Sequence, residues 1–517
     1  MMNKNNIPNI PAEKFRFVGD ETVLHDQKMD TKQVSYFRDA FNRFCKNKGS
    51  VTAAIIILAL ILYSIFVPIF CTTSYSAALT DTKYLAYTKL LPKNQWFADM
   101  GIEFWDGGSN ETISQALYLS YAAIAEETGY DIFIGDVSEP YVNLEGKTLY
   151  DVRLDSYIAN GYKVETFSDA EYKALQQWQN ETGIQVLYPM TTDATMTDST
   201  AGIWYKADKK GTPQLDKNGN FQAVYKLSGN DGNYNSLRIE GDPGLENPEA
   251  SNRYRYANPA GTSTAPEWKC RVFKYTYFQY RYGFEPAFLL GTTGQGQDML
   301  TRLANAAQFS LVFAVIVSVI NLTIGAIIGA IEGYYGGMVD MLMERFIDIL
   351  ARVPFMVVAS LFQLHLRDIA GPVGSMLFAF VLTGWIGMAG TVRMQFYRYK
   401  GQEYVLASRV LGASDWRIMF RHIFPNSLGT IITSSVLVIP GVIFSESSLT
   451  YLGIVNLESS TSTSVGTMLA NGRAYLANYP HIILFPALFI SLLMITFNLF
   501  GNGLRDAFNP SLRGADD

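Results

Sequence analysis

Apolar residues in this chain gather into blocks of about 20, the length that crosses a bilayer as a helix. The first, Val51 to Phe70, contains no charge. Later blocks run from Phe309 to Ile331, from the neighbourhood of Arg352 towards Leu364, from Met376 to Val392, from Ile431 to Phe444 and from Ile482 to Phe500. Six membrane-spanning helices are therefore predicted. In the second, Gly325, Ala326, Gly329 and Ala330 are spaced to let another helix approach closely. Gly333-Tyr-Tyr-Gly-Gly337 reads as the turn that follows. Asp340, Glu344, Arg345, Asp348 and Arg352 mark the charged flank of the third span.

The long polar stretch between the first two blocks carries its own periodicity. Ile113, Leu117, Tyr121 and Ile124 predict a helix over Thr112–Glu127. Ser168 and Glu171 have the spacing of a capping box, opening a helix through Trp178. Strands are expected at 131–137, 184–190, 204–206, 221–226 and 271–282, with Asn218-Gly219 as a turn. The stretch is long enough to bury a core and is expected to form a small α+β domain. Tyr275, Tyr277, Tyr280 and Tyr282 read as core and strand-pairing tyrosines rather than a binding surface. Asp216-Lys-Asn-Gly-Asn220 begins like a calcium loop but lacks the required glycine and the closing glutamate, where Leu227 stands. Ahead of the first span, a polar tail precedes a helix from Thr31. Its Phe37, Phe41 and Phe44 share a face beside Arg38, Arg43, Lys46 and Lys48, as on a helix lying at a membrane surface or simply a basic flank.

The basic residues before Val51 place the N-terminus in the cytoplasm. A signal peptide is the rival reading of Val51–Phe70; the long preceding segment and the lack of a small-residue cleavage pattern oppose it. The net charge of −6 over 517 residues gives no reason to expect nucleic acid. Three cysteines, Cys45, Cys71 and Cys270, do not make a disulfide framework. Cys71 and Cys270 fall on the same side of the membrane, and a pairing between them stays open. No Walker A phosphate loop occurs, no charged relay stands inside the apolar blocks, and neither a catalytic residue nor a metal site is predicted.

The stretch 400–425, between the fourth and fifth blocks, is polar and basic. Glu403 suits the first turn of a helix, Gly412 its stop, Ser414 the cap of a second helix, and Pro425 that helix's end. Leu406 and Val410 share one face, as do Ala407 and Leu411; the opposite side carries Arg409, and Arg417 and Arg421 follow. This stretch resembles the permease signature of ABC importers: Glu-Ala-Ala, three residues, Gly, nine residues, then Ile-x-Leu-Pro. Leu406-Ala407-Ser408 takes the first place, Gly412 the glycine, and His422-Ile-Phe-Pro425 the end. Leu406, Ser408 and Phe424 depart from the pattern. Leu290-Gly-Thr-Thr-Gly-Gln-Gly-Gln-Asp-Met-Leu-Thr-Arg302 is similar to the element before the second span of peptide-importer permeases, matching at Gly291, Thr292, Gly296, Asp298, Leu300 and Arg302. Gly333–Leu350 and Glu446–Gly453 are family-like as well. Gly466–Tyr475 fits an outer loop.

The resemblance covers about residues 31–72 and 288–514 and is greatest to the C-type permease subunit of oligopeptide and dipeptide importers. It implies the type I importer permease fold: 1–50 as tail and elbow helix, 51–71 as the first span, and a five-span core over 289–517; the extracellular α+β domain expected over 72–288 is an insertion that lies outside the resemblance. It also implies a coupling loop in which Glu403, Leu406, Ala407, Ser408, Gly412, Ala413 and Pro425 serve docking on an ATPase. The implied partners are a second permease, two ATP-binding subunits, an extracellular peptide-binding lipoprotein, the peptide and membrane lipid. ATP and Mg2+ belong to the ATPases, and this chain binds no cofactor. The implied location is the bacterial cell membrane, multi-pass, with both termini cytoplasmic. Permeases for nickel, dipeptides or antimicrobial peptides share these motifs. A membrane sensor with an outer ligand domain is the alternative of another class; it needs no docking signature, and no kinase-like region follows the last span.

Overall fold

A computed structural model describes residues 36–70, 89–188, 190–191, 205–206, 217, 236–237, 254–255, 257–262, 264–457 and 463–508. Among them are five helices long and apolar enough to cross a membrane: Lys48–Phe70, Met299–Tyr335, Phe355–Tyr399, Asp415–Tyr451 and His481–Phe508. The expected spans lie within these five helices; the difference in number falls at the third and fourth. As one straight helix, the 45 residues of Phe355–Tyr399 would extend roughly 68 Å, twice a bilayer core of about 30 Å. They are not straight. Gly371 leaves the helix at φ 73°, ψ 171°, and Pro372 follows it. Gln363 Nε2 donates to the Pro372 carbonyl at 2.8 Å. The rings of Phe355 and Phe380 meet at 4.8 Å, where a continuous helix would hold them roughly 37 Å apart. The chain therefore doubles back at Gly371, and the arms on either side carry the third and fourth apolar blocks. The charged flank expected before the third arm is a separate helix, Gly337–Ala351, set off by Gly336 and Pro354.

Small residues decide how the bundle closes. Gly325, Gly329 and Gly333 face the helix Ile386–Tyr399, and a Cβ at Gly325 would stand 2.8 Å from the Trp385 carbonyl. Two of these glycines were picked out by spacing alone. The first span packs on the last and on Met299–Tyr335. Tyr63 donates to the Leu300 carbonyl at 2.7 Å, and its ring lies 6.3 Å from that of Phe489. Before it, the helix Tyr36–Lys46 buries Phe44 edge-on against Phe500 at 5.4 Å and leaves Phe41 exposed.

Residues 89–288 build a second core. Gly108–Ser114, Thr148–Asp155 and Tyr141–Val142 form an antiparallel sheet with the longest strand central. Tyr162–Ser168 and Ala257–Thr262 flank Ala265–Phe273 in another. Ile113, Val152, Leu154, Phe167, Leu175 and Val272 are buried between these sheets and their helices. Ser168 and Glu171 form the expected capping box at the start of Asp169–Thr182. This core is tied to the spans at its base. Lys93 N donates to the Phe288 carbonyl and Thr292 N to the Leu90 carbonyl, both at 2.9 Å.

Several local expectations change. Residues 271–282 are not one strand: the strand ends at Phe273 and the helix Lys274–Tyr282 follows. Five consecutive residues of that helix, Tyr275–Gln279, are buried, so no helical stripe shows in the sequence. Tyr275 and Tyr277 are core residues, as expected, but on a helix. Residues 131–137 make only the single bridge Phe133–Leu154, although Ile132 is fully buried. The helix expected from Thr112 begins at Gln115, capped by Ser114, because Thr112 and Ile113 belong to a strand. Residues 184–190 supply only the short strands Leu187–Tyr188 and Met190–Thr191. Tyr205–Lys206 is a strand as expected; the turn at Asn218-Gly219, the strand at 221–226 and most of the 216–220 loop lie outside the described residues, as does Cys71. The connection Gly466–Tyr475, expected as an outer loop, holds the short helix Val465–Gly472 and a 3-10 turn, with Val465, Thr467 and Met468 buried.

Candidate functional site

Glu403–Val410 is the helix its sequence predicts, with Glu403 in the first turn. Its end is a left-handed turn. Gly412 sits at φ 80°, its N–H donates to the Arg409 carbonyl at 3.0 Å, and Ala413 N donates to the Ser408 carbonyl at 3.1 Å. No atom lies within 4 Å of where a Cβ would stand, so the glycine answers a backbone demand and not a packing one. Ser414 then caps the second helix by accepting from Arg417 N. This second helix does not end near Pro425. It passes through a π turn, Ile418–Ile423, into Phe424–Tyr451, with Pro425 in the first turn of that long helix. A proline without an N–H is tolerated there because the hydrogen-bond ladder changes register at the π turn.

One side of this double helix is anchored and the other is bare. Val405, Ile418 and Ile423 are fully buried with Phe396 and Val392. Tyr334, at the end of the second span, donates to Asp415 Oδ1 at 2.5 Å, and Arg409 Nη2 donates to the Tyr334 hydroxyl at 3.4 Å. Lys400 Nζ donates to the Gly333 carbonyl at 2.9 Å. Alongside, Arg393 grips Asp340 with two bonds of 2.6 and 2.9 Å, and Tyr397 donates to the same carboxylate at 2.7 Å. The Arg393 guanidinium holds the Asp340 carboxyl below its ordinary range. On the bare side stand Leu406 and Ala407, then Val410 and Leu411 at 87% and 86% exposure, with Trp416 at 63%. Five apolar side chains thus stand bare at the tip of an otherwise polar loop, a pattern that marks interaction sites. Its base is braced to two other helices.

The second motif is a knot at the opposite end of the bundle. Thr292 is buried, accepts from Leu90 N at 2.7 Å through its hydroxyl, and its carbonyl lies 3.1 Å from His481 Nε2. Gly291 and Gly296 both turn with positive φ. Asp298 caps the second span by accepting from Thr301 N at 2.7 Å. Arg302 is buried and lines a cavity of about 170 Å³ with Thr293, Gln297, Asn471 and Tyr475. The structure thus gathers Thr292, Asp298 and Arg302 at one place, away from the 403–425 loop.

Two functional-looking links were not read from the sequence. The spacing predicts a turn over Gly333–Gly337, but the helix continues through it to Tyr335, and Tyr334 donates its hydroxyl to Asp415. Glu446 lies on the fifth span, fully buried, accepting from Ser310 Oγ at 3.0 Å and Ser447 Oγ at 3.3 Å. Ser310 inside one apolar block and Glu446 just past the end of another were the available signal, but nothing in one dimension pairs them.

These features define a polytopic helical membrane protein with a braced, apolar-tipped loop between its fourth and fifth membrane arms. Residues 321–514 match the family described as binding-protein-dependent transport system inner membrane component, and residues 35–92 match the N-terminal TM domain of oligopeptide transport permease C. The oligopeptide transport system permease protein OppC of Bacillus subtilis is 41% identical over 225 residues, covering 43% of this chain and 72% of that protein. The B. subtilis dipeptide transport system permease protein DppC is 39% identical, covering 43% and 68%. OppC of Escherichia coli K12 is 39% identical, covering 44% and 74%. A chain of the inward-facing MetNI methionine ABC transporter aligns with 41% of this chain and 98% of its own at 15% identity, with a TM-score of 0.32. The chain belongs to the family of binding-protein-dependent transport system inner membrane components. It is a membrane permease and not an enzyme.

Proposed function

We propose that this chain is one permease half of a type I, ATP-driven peptide importer in the bacterial cell membrane. Family membership supports the transport role, and oligopeptide and dipeptide permeases among the relatives support a peptide cargo. A second permease completes the pathway. Two ATP-binding subunits carry ATP and Mg2+ on the cytoplasmic side, where both termini of this chain lie. An extracellular lipoprotein delivers the peptide. The region 72–288 lies outside, over the mouth, and guides or docks that lipoprotein.

The observation that carries the coupling role is the exposed tip at Leu406, Val410, Leu411 and Trp416 above a base bonded to Tyr334. The ATPase receives this tip. Glu403 and Ala407 border it, Gly412 and Ala413 shape the turn, Ser408 accepts the turn's backbone bond through its carbonyl, and Pro425 starts the span that is moved. No glutamate stands at position 406, so the contact is apolar where the signature has an acid. At the outer knot, Gly291, Thr292, Gly296, Asp298 and Arg302 hold the spans' outer ends in register.

The test is reconstitution. The permease pair, its ATPases and the lipoprotein in liposomes should accumulate labelled peptide only when Mg-ATP is hydrolysed, and this chain alone should hydrolyse none. Peptide accumulation without ATP hydrolysis, or ATPases that never co-purify with this chain, overturns the reading. Competition by peptides of graded length then separates oligopeptide from dipeptide cargo.

A further inference from the structure

At the base of the region 89–288, residues 94–105 fold into a tight clip with an uncovered aromatic face. Asn94 N donates to the Trp105 carbonyl at 2.8 Å, and Ile102 N to the Phe97 carbonyl at 3.2 Å. Asn94 Oδ1 caps the short helix Gln95–Asp99. The clip is fastened from both sides: Trp105 Nε1 donates to the Leu289 carbonyl at 2.9 Å, and Arg153 donates to the Glu103 carbonyl at 2.7 Å. Trp96 and Met100 stand one helical turn apart and are 66% and 60% exposed, with Phe104 at 39%. Asp99 bonds back to Gln95 at 2.8 Å and, like Glu103, is exposed to solvent.

The position of this face identifies what covers it. Phe104 contacts Phe485 at 5.9 Å, about one turn inside the helix His481–Phe508. That helix carries an exposed stripe of Leu484, Leu488, Leu492, Ile495 and Leu499, the face a membrane span turns to lipid. Through Phe104 the clip rests on the first turns of that helix, at the residue next to Leu484, where the stripe begins. Tryptophan and phenylalanine with acids behind them match the headgroup level, where amphipathic rings and short amphipathic helices settle.

We propose that residues 95–105 are a membrane-interface anchor. Trp96, Met100 and Phe104 enter the headgroup–acyl boundary of the outer leaflet beside the sixth span, and Asp99 and Glu103 remain in water. The anchor sets the height and tilt of the region 89–288 over the permease mouth. The inference rests on the proposed membrane placement of His481–Phe508.

Spin labels test both levels in the complete transporter, reconstituted in phosphatidylcholine–phosphatidylglycerol liposomes. The background carries Cys45→Ser and Cys71→Ser; Cys270 is buried. Labels go on Met100→Cys, on Leu492→Cys in the sixth span, and on Leu144→Cys at a fully exposed turn. The Leu492 label should admit oxygen and exclude a nickel chelate, and the Leu144 label should admit nickel. Failure of these two controls sinks the span assignment itself. With the controls in order, loss of nickel access and gain of oxygen access at Met100 support the anchor. Nickel access equal to Leu144 overturns it. Exclusion of both probes also overturns it, in favour of a protein partner over the clip. Tryptophan quenching by brominated lipid is the independent arm: Trp96→Phe should remove a quenchable component, and unchanged quenching overturns the proposal without relying on a cysteine at Met100.

Discussion

Gly412 turns the backbone at φ 80° beside open space. A side chain there meets no neighbour, yet the left-handed conformation costs an L-residue roughly 1–2 kcal/mol. Gly412→Val should therefore leave the protein in the membrane while displacing the tip, so peptide-stimulated ATP hydrolysis is lost before assembly is. Normal stimulation in that variant would show that the turn tolerates any residue. The glycine was legible from its place after a helical segment, but its neighbourhood was not. Cys270 shows the opposite case. The predicted topology puts it in the extracellular insertion, yet it is fully buried and burial pushes its thiol up to about 12. An impermeant maleimide should leave Cys270 unmodified in the folded protein at pH 8 and react after denaturation; labelling of the native chain would contradict its burial. Exposure depends on which strand pairs with which, and nothing in the residues around Cys270 records that.

Among the elements, the apolar tip of Glu403–Val410 yields the sharpest expectation. Val410→Asp with Leu411→Asp changes two nearly bare side chains, so stability should shift by no more than about 1 kcal/mol in all. Association with the ATPases should nevertheless fall sharply, read by co-purification. Retained association would move the contact elsewhere on the loop. The long spans were legible because apolar length is a one-dimensional property. The helix Lys274–Tyr282 was not: a segment buried on every side has no amphipathic stripe, and its aromatic residues resemble those of a strand. Gly371 is intermediate. The predicted spans on either side of it agree with a reversal, but only the Gln363–Pro372 bond and the Phe355–Phe380 contact distinguish a hairpin from one long helix.

For the whole molecule, the boundary of the inserted region is a practical question. Leu90, Lys93, Phe288 and Thr292 bond across its base, so a linker replacing residues 95–287 keeps that knot where a cut at 72 and 288 would break it. This shortened chain should still assemble with the ATPases and lose affinity for the binding lipoprotein, measured by surface capture of the complete complex. Unchanged affinity and uptake would reject the docking role of the region. The sequence alone determined the apolar blocks, the capped helix at Ser168 and the signature loop with its glycine, because length, caps and turn residues act on neighbours along the chain. Tertiary structure alone decided that Tyr334 reaches Asp415, that Ser310 meets Glu446, and that Phe104 reaches Phe485 on the sixth span. Those pairings depend on where distant segments come to rest, and the free energy that places them comes from close packing across the bundle and the second core, which no local pattern encodes.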